Sequence, residues 1–147
     1  MAPAWRRIQR HKLANVLLVA ARVEELPSQL DGIAEAVTIH FPWGSLLAGV
    51  VDVDGSGVAT SLARITRPGC EVTVVLSVTE REQALGLPLL DASLYRMLAA
   101  GYATYGLALT EWRPASRREI TDTRSSWAKR LGAGSERPAW LLRLVRV

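Results

Sequence analysis

The sequence predicts an α/β fold, in which short buried strands alternate with helices. Apolar runs rich in β-branched residues recur along the 147-residue chain, and the segments between several of them carry apolar residues at helical spacing. A content of 49% hydrophobic and 22% charged residues is typical of a globular protein. We therefore expect a single α/β domain over residues 1–147.

Five segments have the composition or alternation of strands. The first three are short and apolar, which is typical of strands buried on both faces of a sheet. In the last, Leu142 and Leu144 alternate with Arg143, which predicts one more buried face. The predicted strands cover residues 15–21, 36–41, 71–78, 106–112 and 139–147.

Three further segments carry apolar residues at helical spacing, and they lie between the predicted strands. Asp91 is a suitable N-cap for the last helix. Trp43-Gly44 and the tripeptide at residues 67–69 interrupt the chain near strand ends, where open α/β sheets place binding loops. The predicted helices cover residues 46–50, 56–65 and 90–104.

Composition also excludes several classes of protein. A single cysteine, Cys70, cannot form an internal disulfide, and with only two histidines the chain lacks the ligands of a usual structural zinc site. No apolar run is long enough to span a membrane, and no signal-peptide pattern follows the basic start. We expect a cytoplasmic protein with no metal site and no membrane contact.

Positive charge is concentrated at the two ends of the chain. Residues 1–12 hold four basic residues and no acid, and residues 113–147 hold nine basic and three acidic residues. Residues 13–112 hold five basic and eleven acidic residues. Clustered Lys and Arg raise the affinity and association rate for phosphate backbones, so this pattern suggests a polyanionic partner. Solvated arginines on helix faces are the alternative interpretation.

Two tryptophans lie in unusual contexts. Phe41-Pro42-Trp43 follows an apolar strand directly, and Pro42 is expected to end the strand while Trp43 offers a flat apolar face. Trp127 lies in the basic segment SSWAKRL, at residues 125–131. Aromatic faces beside cations are what base stacking and phosphate contact require. The alternative is that both tryptophans anchor loops to the core.

Three motifs together resemble the aminoglycoside-resistance 16S rRNA (adenine-1408) N1-methyltransferases, which are class I enzymes. The motifs are NVLLVAARVEELP at residues 15–27, VTIHFPWGSLL at 37–47 and SWAKRL at 126–131. The resemblance covers essentially the whole chain from about Trp5. It implies S-adenosylmethionine as cofactor, 16S rRNA in the small ribosomal subunit as partner, and methylation of N1 of a flipped adenine.

The resemblance also implies a role for individual residues. Trp43 and Trp127 would clamp the flipped adenine, because N1 lies on the Watson–Crick edge and is inaccessible in a stacked base. Carbonyl groups around Phe41 and Pro42 would hold the exocyclic amine. Val23 and Glu24 would bind the adenine of the cofactor, and Leu46 would lie near both the cofactor and the target base. The residues implied to contact RNA are Ser125, Lys129, Arg130 and Arg137.

One part of the family pattern is not found in the sequence. Members begin with a strand, a Gly-rich loop and a second strand that ends in an acid, and no G-x-G-x-x-G loop follows any predicted strand here. We therefore expect a partial domain: a Rossmann-like class I methyltransferase sheet, truncated at its N-terminus, without the first two strands.

This truncation leaves several expectations open. In the class I strand order 3-2-1-4-5-7-6, residues 15–21 and 36–41 are the third and fourth strands, so they should either pair directly or lie apart with open edges. We expect weak or no cofactor binding by this chain alone. The alternatives to the methyltransferase are an inactive remnant or rRNA-binding paralogue, and a fragment of a class I enzyme with another substrate.

Overall fold

The computed structural model describes residues 2–53, 55, 57–125 and 138–147, with the backbone alone for residues 2–4. The described residues form four strands: β1 (Ala34–His40), β2 (Thr66–Leu76), β3 (Leu107–Pro114) and β4 (Trp140–Arg146). They make one mixed sheet in the order β1-β2-β4-β3. β1 and β2 are parallel, and β4 is antiparallel to both of its neighbours. The predicted α/β class is confirmed.

Six α-helices accompany this sheet in the described part of the chain. The three predicted helices correspond to the second, third and fifth of them, and Asp91 accepts a hydrogen bond from the Ser93 N–H (2.7 Å) in the turn before the fifth. None of the described helices has the length and apolar character needed to cross a membrane. The helices are α1 (Ala2–Arg10), α2 (Gly44–Val51), α3 (Val58–Ile65), α4 (Glu80–Ala84), α5 (Tyr95–Ala103) and α6 (Arg117–Asp122).

The two short helices α4 and α6 were not predicted, although both begin with a recognisable sequence signature. Thr79 and Glu82 form a capping box at the start of α4, and Ser116 and Glu119 form one at α6. In each, the hydroxyl accepts from a backbone N–H while the Glu carboxylate accepts from the backbone N–H of the cap. The pattern Ser/Thr-x-x-Glu could have located both.

The main core lies between α2, α3, α5 and one face of the sheet, which we call the first face. Val72 and Val74 of β2 and Leu142 and Leu144 of β4 alternate onto this face and are fully buried. The buried Tyr102 of α5 donates a hydrogen bond to the Val50 carbonyl (2.9 Å), which ties α5 to α2. Apolar burial of this extent is the dominant stabilising contribution in folding.

The opposite or second face of the sheet carries less apolar surface. Its buried residues form a separate small cluster made of Phe41, Val75, Ile120, Ala139 and Leu141. Beside this cluster, Arg143 of β4 lies between Glu71 of β2 (3.1 Å) and Glu111 of β3 (2.7 Å). Arg113 donates two hydrogen bonds to the Glu119 carboxylate of α6, at 2.7 and 3.0 Å. The second face therefore combines one apolar cluster with a row of ion pairs.

The predicted strand at residues 15–21 is wrong. These residues form no strand, and all except Leu18 are exposed. A strand needs a hydrogen-bonded neighbour, and among the described residues the outer edge of β1 pairs with none. Neither of the two expected arrangements is found, because both require a strand at residues 15–21, and only β1 has an edge that is unpaired among the described residues.

The tripeptide at residues 67–69 also differs from expectation, because it lies inside β2 and not in a loop. The pairing register changes from Ala34 opposite Thr66 to Ala36 opposite Glu71, so residues 67–70 bulge opposite Glu35 alone. Arg67 forms an ion pair with Glu35 at this bulge. Gly69 has a φ of +79°, which a glycine adopts without steric cost.

Candidate active site

A sharp turn at Phe41–Gly44 joins the carboxyl end of β1 to α2. The Phe41 N–H donates to the Val75 carbonyl (2.7 Å), which extends the pairing with β2 one residue beyond β1. Phe41 then adopts a φ of +50°, which is rare for a bulky residue, and Gly44 has a φ of +60°. Strained backbone persists where the surrounding structure fixes it, and such positions cluster at functional sites.

Trp43 is the large side chain that this turn exposes. Its side chain is 73% exposed, whereas Phe41 and Pro42 before it are buried. A tryptophan that anchors a loop to the core would be buried, so the exposure of Trp43 contradicts the anchoring interpretation. A large aromatic face kept in solvent favours a role in binding.

Two clefts flank the turn, and Trp43 borders both. The edge cleft, of about 820 Å³, runs along the open edge of β1. The inner cleft, of about 630 Å³, lies between the turn and the segment that follows β2. Both volumes lie in the range of small-molecule sites. The edge cleft is lined by Thr38, Ile39, His40, Phe41, Pro42, Trp43 and Leu46. The inner cleft is lined by Phe41, Pro42, Trp43, Gly44, Ala48, Ser77, Thr79, Arg81, Glu82, Leu85 and Leu87.

The wall of the inner cleft between Ser77 and Leu87 was missed by sequence reasoning. The Glu82 carboxylate accepts hydrogen bonds from the Thr79 N–H (2.7 Å) and hydroxyl (2.8 Å), so it serves the α4 cap. Arg81 is exposed and forms no ion pair with another described residue. Arg81 is thus a cation directed to the same cleft as Trp43, and no motif in the sequence marks it.

Two of the three predicted cofactor residues pack on the main core. Val23 and Leu46 both pack partly buried against it. Val23 and Glu24 belong to a one-turn helix, Val23–Glu25, that lies against the start of α3: a Cβ at Gly57 would come 3.2 Å from the Glu24 Cγ. The Glu24 carboxylate lies 3.7 Å from the Arg22 Nε. Leu46 lines the edge cleft, whereas Val23 and Glu24 do not.

Most of the predicted RNA-binding residues cannot be placed. Trp127, Lys129, Arg130 and Arg137 lie outside the described residues, so the approach of Trp43 to Trp127 stays a prediction. Ser125 is described: it follows α6, is half-buried, and its N–H donates to the Thr123 hydroxyl (3.2 Å). The roles of the Phe41 and Pro42 carbonyls also stay predictions.

The sheet order and the turn after β1 define the class of protein. Strands β1, β2, β4 and β3 correspond to strands four, five, seven and six of the class I methyltransferase sheet. A solved structure supports this: the 16S rRNA (adenine(1408)-N(1))-methyltransferase from Catenulisporales acidiphilia, a tryptophan-to-alanine mutant with cosubstrate SAM, superimposes with a TM-score of 0.79. It is 27% identical, and the match covers 99% of this chain and 72% of that one.

The sequence itself identifies the family. A family profile described as "NpmA: 16S rRNA (adenine(1408)-N(1))-methyltransferase" matches residues 2–146, and the chain belongs to this family. It is 27% identical over 132 residues to the 16S rRNA (adenine(1408)-N(1))-methyltransferase of Escherichia coli, covering 85% of this chain and 60% of that protein. It is 30% identical over 128 residues to an rRNA methyltransferase of Saccharopolyspora hirsuta, covering 81% and 78%. The chain spans about three fifths of the length of the Escherichia coli relative.

Proposed function

We propose that this chain forms the target-binding part of an S-adenosylmethionine-dependent methyltransferase that modifies N1 of adenine 1408 in 16S rRNA, in the cytoplasm. The main structural support for this proposal is the exposed Trp43, which lies on a strained turn between two clefts at the carboxyl end of β1. The proposal also rests on the family of the chain. The partner is 16S rRNA in the small ribosomal subunit, and residues 1–147 form a single partial domain.

Trp43 would bind the target base by stacking. The base must leave the helix before N1 is accessible, and stacking on an aromatic ring offsets this cost by about 1–3 kcal/mol per base. Trp127 would supply the opposite face, and the carbonyls of Phe41 and Pro42 would accept hydrogen bonds from the exocyclic amine. Because N1 already carries a lone pair, these residues need to orient it and no general base is required.

The edge cleft fits one side of the cofactor. Ile39, Pro42 and Leu46 give it an apolar wall beside the open edge of β1, where a flat, partly apolar nucleoside can lie. S-adenosylmethionine supplies the methyl group, carried on a sulfonium. Leu46 would contact it and the target base, and Val23 with Glu24 would hold its adenine beyond the cleft, where they pack on α3. With one wall only, the chain alone is expected to bind the cofactor weakly.

Basic residues would contact the phosphates around the flipped base. Lys129, Arg130 and Arg137 follow Trp127 in sequence, and Ser125 precedes it. Arg81 joins them in this proposal, because it lines the inner cleft beside Trp43 without an ion pair to another described residue. Each phosphate neutralised by such a contact releases a counterion, so affinity should fall steeply with salt.

The proposal is tested with two proteins, the chain itself and a chimera that adds the first two strands of a relative upstream of it. We expect the chain to bind purified small subunits in a salt-dependent manner without transferring a methyl group. The chimera should also modify adenine 1408, detected as a primer-extension stop, and Trp43→Ala in the chimera should abolish transfer while sparing cofactor affinity in calorimetry. Modification at another nucleotide, or no subunit binding at low salt, would contradict the proposal.

A second candidate is an rRNA-binding protein without transferase activity. It is favoured by the outer edge of β1, which is unpaired among the described residues at the place where the class I sheet continues with strand one. The same two proteins decide between the candidates. Subunit binding by the chain, combined with an inactive chimera that still binds S-adenosylmethionine, would support the binding protein.

A further inference from the structure

We propose that Arg64, near the end of α3, is a positioning residue for the one-turn helix Val23–Glu25, which we call the cofactor turn. The Arg64 guanidinium donates hydrogen bonds to the Leu26 carbonyl (2.7 Å) and to the Asp31 carboxylate. Leu26 directly follows the cofactor turn, and Asp31 lies five residues further along the chain. The inference rests on the proposed function, in which the cofactor turn holds the adenine of S-adenosylmethionine.

The cofactor turn and the residues after it lie along α3. Near the start of α3, a Cβ added to Gly57 would come 3.2 Å from the Glu24 Cγ, so the turn closely approaches the backbone there. Near the end of α3, the Gly32 N–H donates to the Arg64 carbonyl (2.9 Å), in addition to the two hydrogen bonds from the Arg64 side chain. Residues 24–32 are therefore attached to α3 near both of its ends.

The cofactor turn itself is short and at least partly exposed. It has three residues, none of them fully buried, and no side chain caps it at Arg22. A helical turn of this length is marginal by itself, because few hydrogen bonds offset the entropy that is lost when its residues are ordered. Its conformation therefore depends on the contacts with α3, and the hydrogen bond from Arg64 to Leu26 holds it at its carboxyl end.

Arginine suits this position because its planar guanidinium binds two acceptors in fixed directions. The Arg64 and Asp31 side chains are 31% and 43% exposed, so water screens their ion pair and its contribution to the overall stability is small. Loss of Arg64 should therefore loosen the cofactor turn locally and leave the main core folded. This local effect distinguishes a positioning residue from one that stabilises the whole fold.

Amide hydrogen exchange, measured by NMR on the ¹⁵N-labelled full chain, tests the local effect. Arg64→Met removes two hydrogen bonds from a charged donor, and this should raise the opening equilibrium of the segment on the order of tenfold. Because the turn is marginal at the start, we expect the Glu25 and Gly32 amides to exchange about threefold faster, with the β2 amides unchanged. Unchanged exchange at Glu25 would overturn the inference.

The matched control is Arg113→Met. Arg113 also donates to a carboxylate and to a backbone carbonyl, but it lies on the second face of the sheet, so exchange at Glu25 should not change. An equal acceleration in this control would contradict a specific role of Arg64. Asp31→Ala removes the ion pair and keeps the hydrogen bond to the Leu26 carbonyl, so it should have a similar but smaller effect. It keeps the test informative if Arg64→Met does not fold.

Titration with S-adenosylmethionine asks whether the cofactor site depends on Arg64. The Glu24 carboxylate only accepts hydrogen bonds, so it favours the exocyclic amine of adenine over the carbonyl oxygen of hypoxanthine. We expect Arg64→Met to raise the dissociation constant for S-adenosylmethionine about threefold, because fewer molecules carry a formed turn, and to change that for the hypoxanthine analogue less. An equal loss of affinity for both ligands would contradict the inference.

The same titration separates this inference from the proposed function. If S-adenosylmethionine shifted no resonance of the unmodified chain, the cofactor role of the turn in the proposed function would be contradicted. Amide exchange would still decide whether Arg64 holds the turn.

Discussion

The two faces of the sheet are built from different interactions. On the first face, three helices cover a continuous apolar core, with Leu142 and Leu144 of β4 fully buried. On the second face, the next residues of the same strand are Leu141, in the small cluster, and Arg143, between two carboxylates. Strand β4 therefore contributes buried apolar side chains to the first face, and ion pairs with a fixed direction to the second face.

The two faces therefore contribute differently to the stability of the fold and to the local geometry of its residues. Apolar burial is large but non-directional, whereas ion pairs and small clusters add little net stability and fix geometry. The second face holds Phe41, which belongs to the turn that presents Trp43, together with Ile120 of α6. We conclude that the first face supplies most of the folding free energy, and that the second face packs the Phe41 side chain at the base of the turn that presents Trp43.

The largest effect is expected from Leu142→Ala on the first face. Leu142 is fully buried, and truncation of such a leucine typically costs 2–5 kcal/mol because apolar contacts are lost and a cavity remains. Urea unfolding followed by circular dichroism measures the change. If the cost were below that of the Arg143 substitution described next, the assignment of stability to the first face would be wrong.

A smaller effect is expected from Arg143→Met on the second face. The Arg143 side chain is 31% exposed and pairs with Glu71 and Glu111, and methionine keeps most of its apolar length. Partly exposed pairs contribute about 0–1 kcal/mol each, so we expect a loss of about 1 kcal/mol at low salt that shrinks in high salt. Arg118→Met is the control, because its pair with Asp122 is 91% exposed on the arginine side. A loss independent of salt would contradict an ionic origin.

The pH dependence of stability should report on Glu119, which holds α6 on β3. The hydrogen bond from Arg113, followed by that from the Ser116 N–H, lowers the pKa of Glu119 from 4.5 to about 2. A lowered pKa means that this contribution is complete above about pH 4.5 and is lost as the pH falls towards 2. Because Arg113 is 43% exposed, water screens the pair and the effect should be smaller than that of Arg143.

Urea midpoints measured at intervals from pH 6 to pH 2.5 test this. Glu119→Gln should remove part of the decline in stability below pH 4.5, because an uncharged amide does not titrate. Glu80→Gln, an exposed carboxylate on α4, serves as the control and should leave the profile unchanged. An identical acid profile in the Glu119→Gln protein would show that the Arg113–Glu119 pair does not couple to folding.

The sequence was sufficient for elements whose signals are local. Strands β1, β3 and β4 and the second half of β2, residues 71–76, follow apolar composition, and the turn after β1 follows from Pro42 and Trp43. Residues 15–21 have the same composition and form no strand, because pairing depends on a neighbour that local sequence does not specify. The inner cleft and the small cluster join residues far apart in the chain, such as Phe41 and Ile120, and no local pattern predicts such contacts.

The smallest effect on stability is expected from Trp43→Ala, and this makes it the most informative substitution for the site. Trp43 is 73% exposed, and surface substitutions usually change the free energy of unfolding by less than about 0.5 kcal/mol. Its matched control is Trp112→Ala. Trp112 is 8% exposed, stacks on Trp140 with ring centroids 4.7 Å apart, and donates to the Asp91 carbonyl at 2.6 Å.

We expect Trp112→Ala to lower the urea midpoint strongly, and Trp43→Ala to leave it unchanged while weakening binding to small subunits about tenfold, the effect of one lost base stack. If Trp43→Ala destabilised the protein as much as Trp112→Ala does, the role of Trp43 would be structural. If the Trp43→Ala protein kept both its stability and its affinity for small subunits, Trp43 would not belong to the binding site.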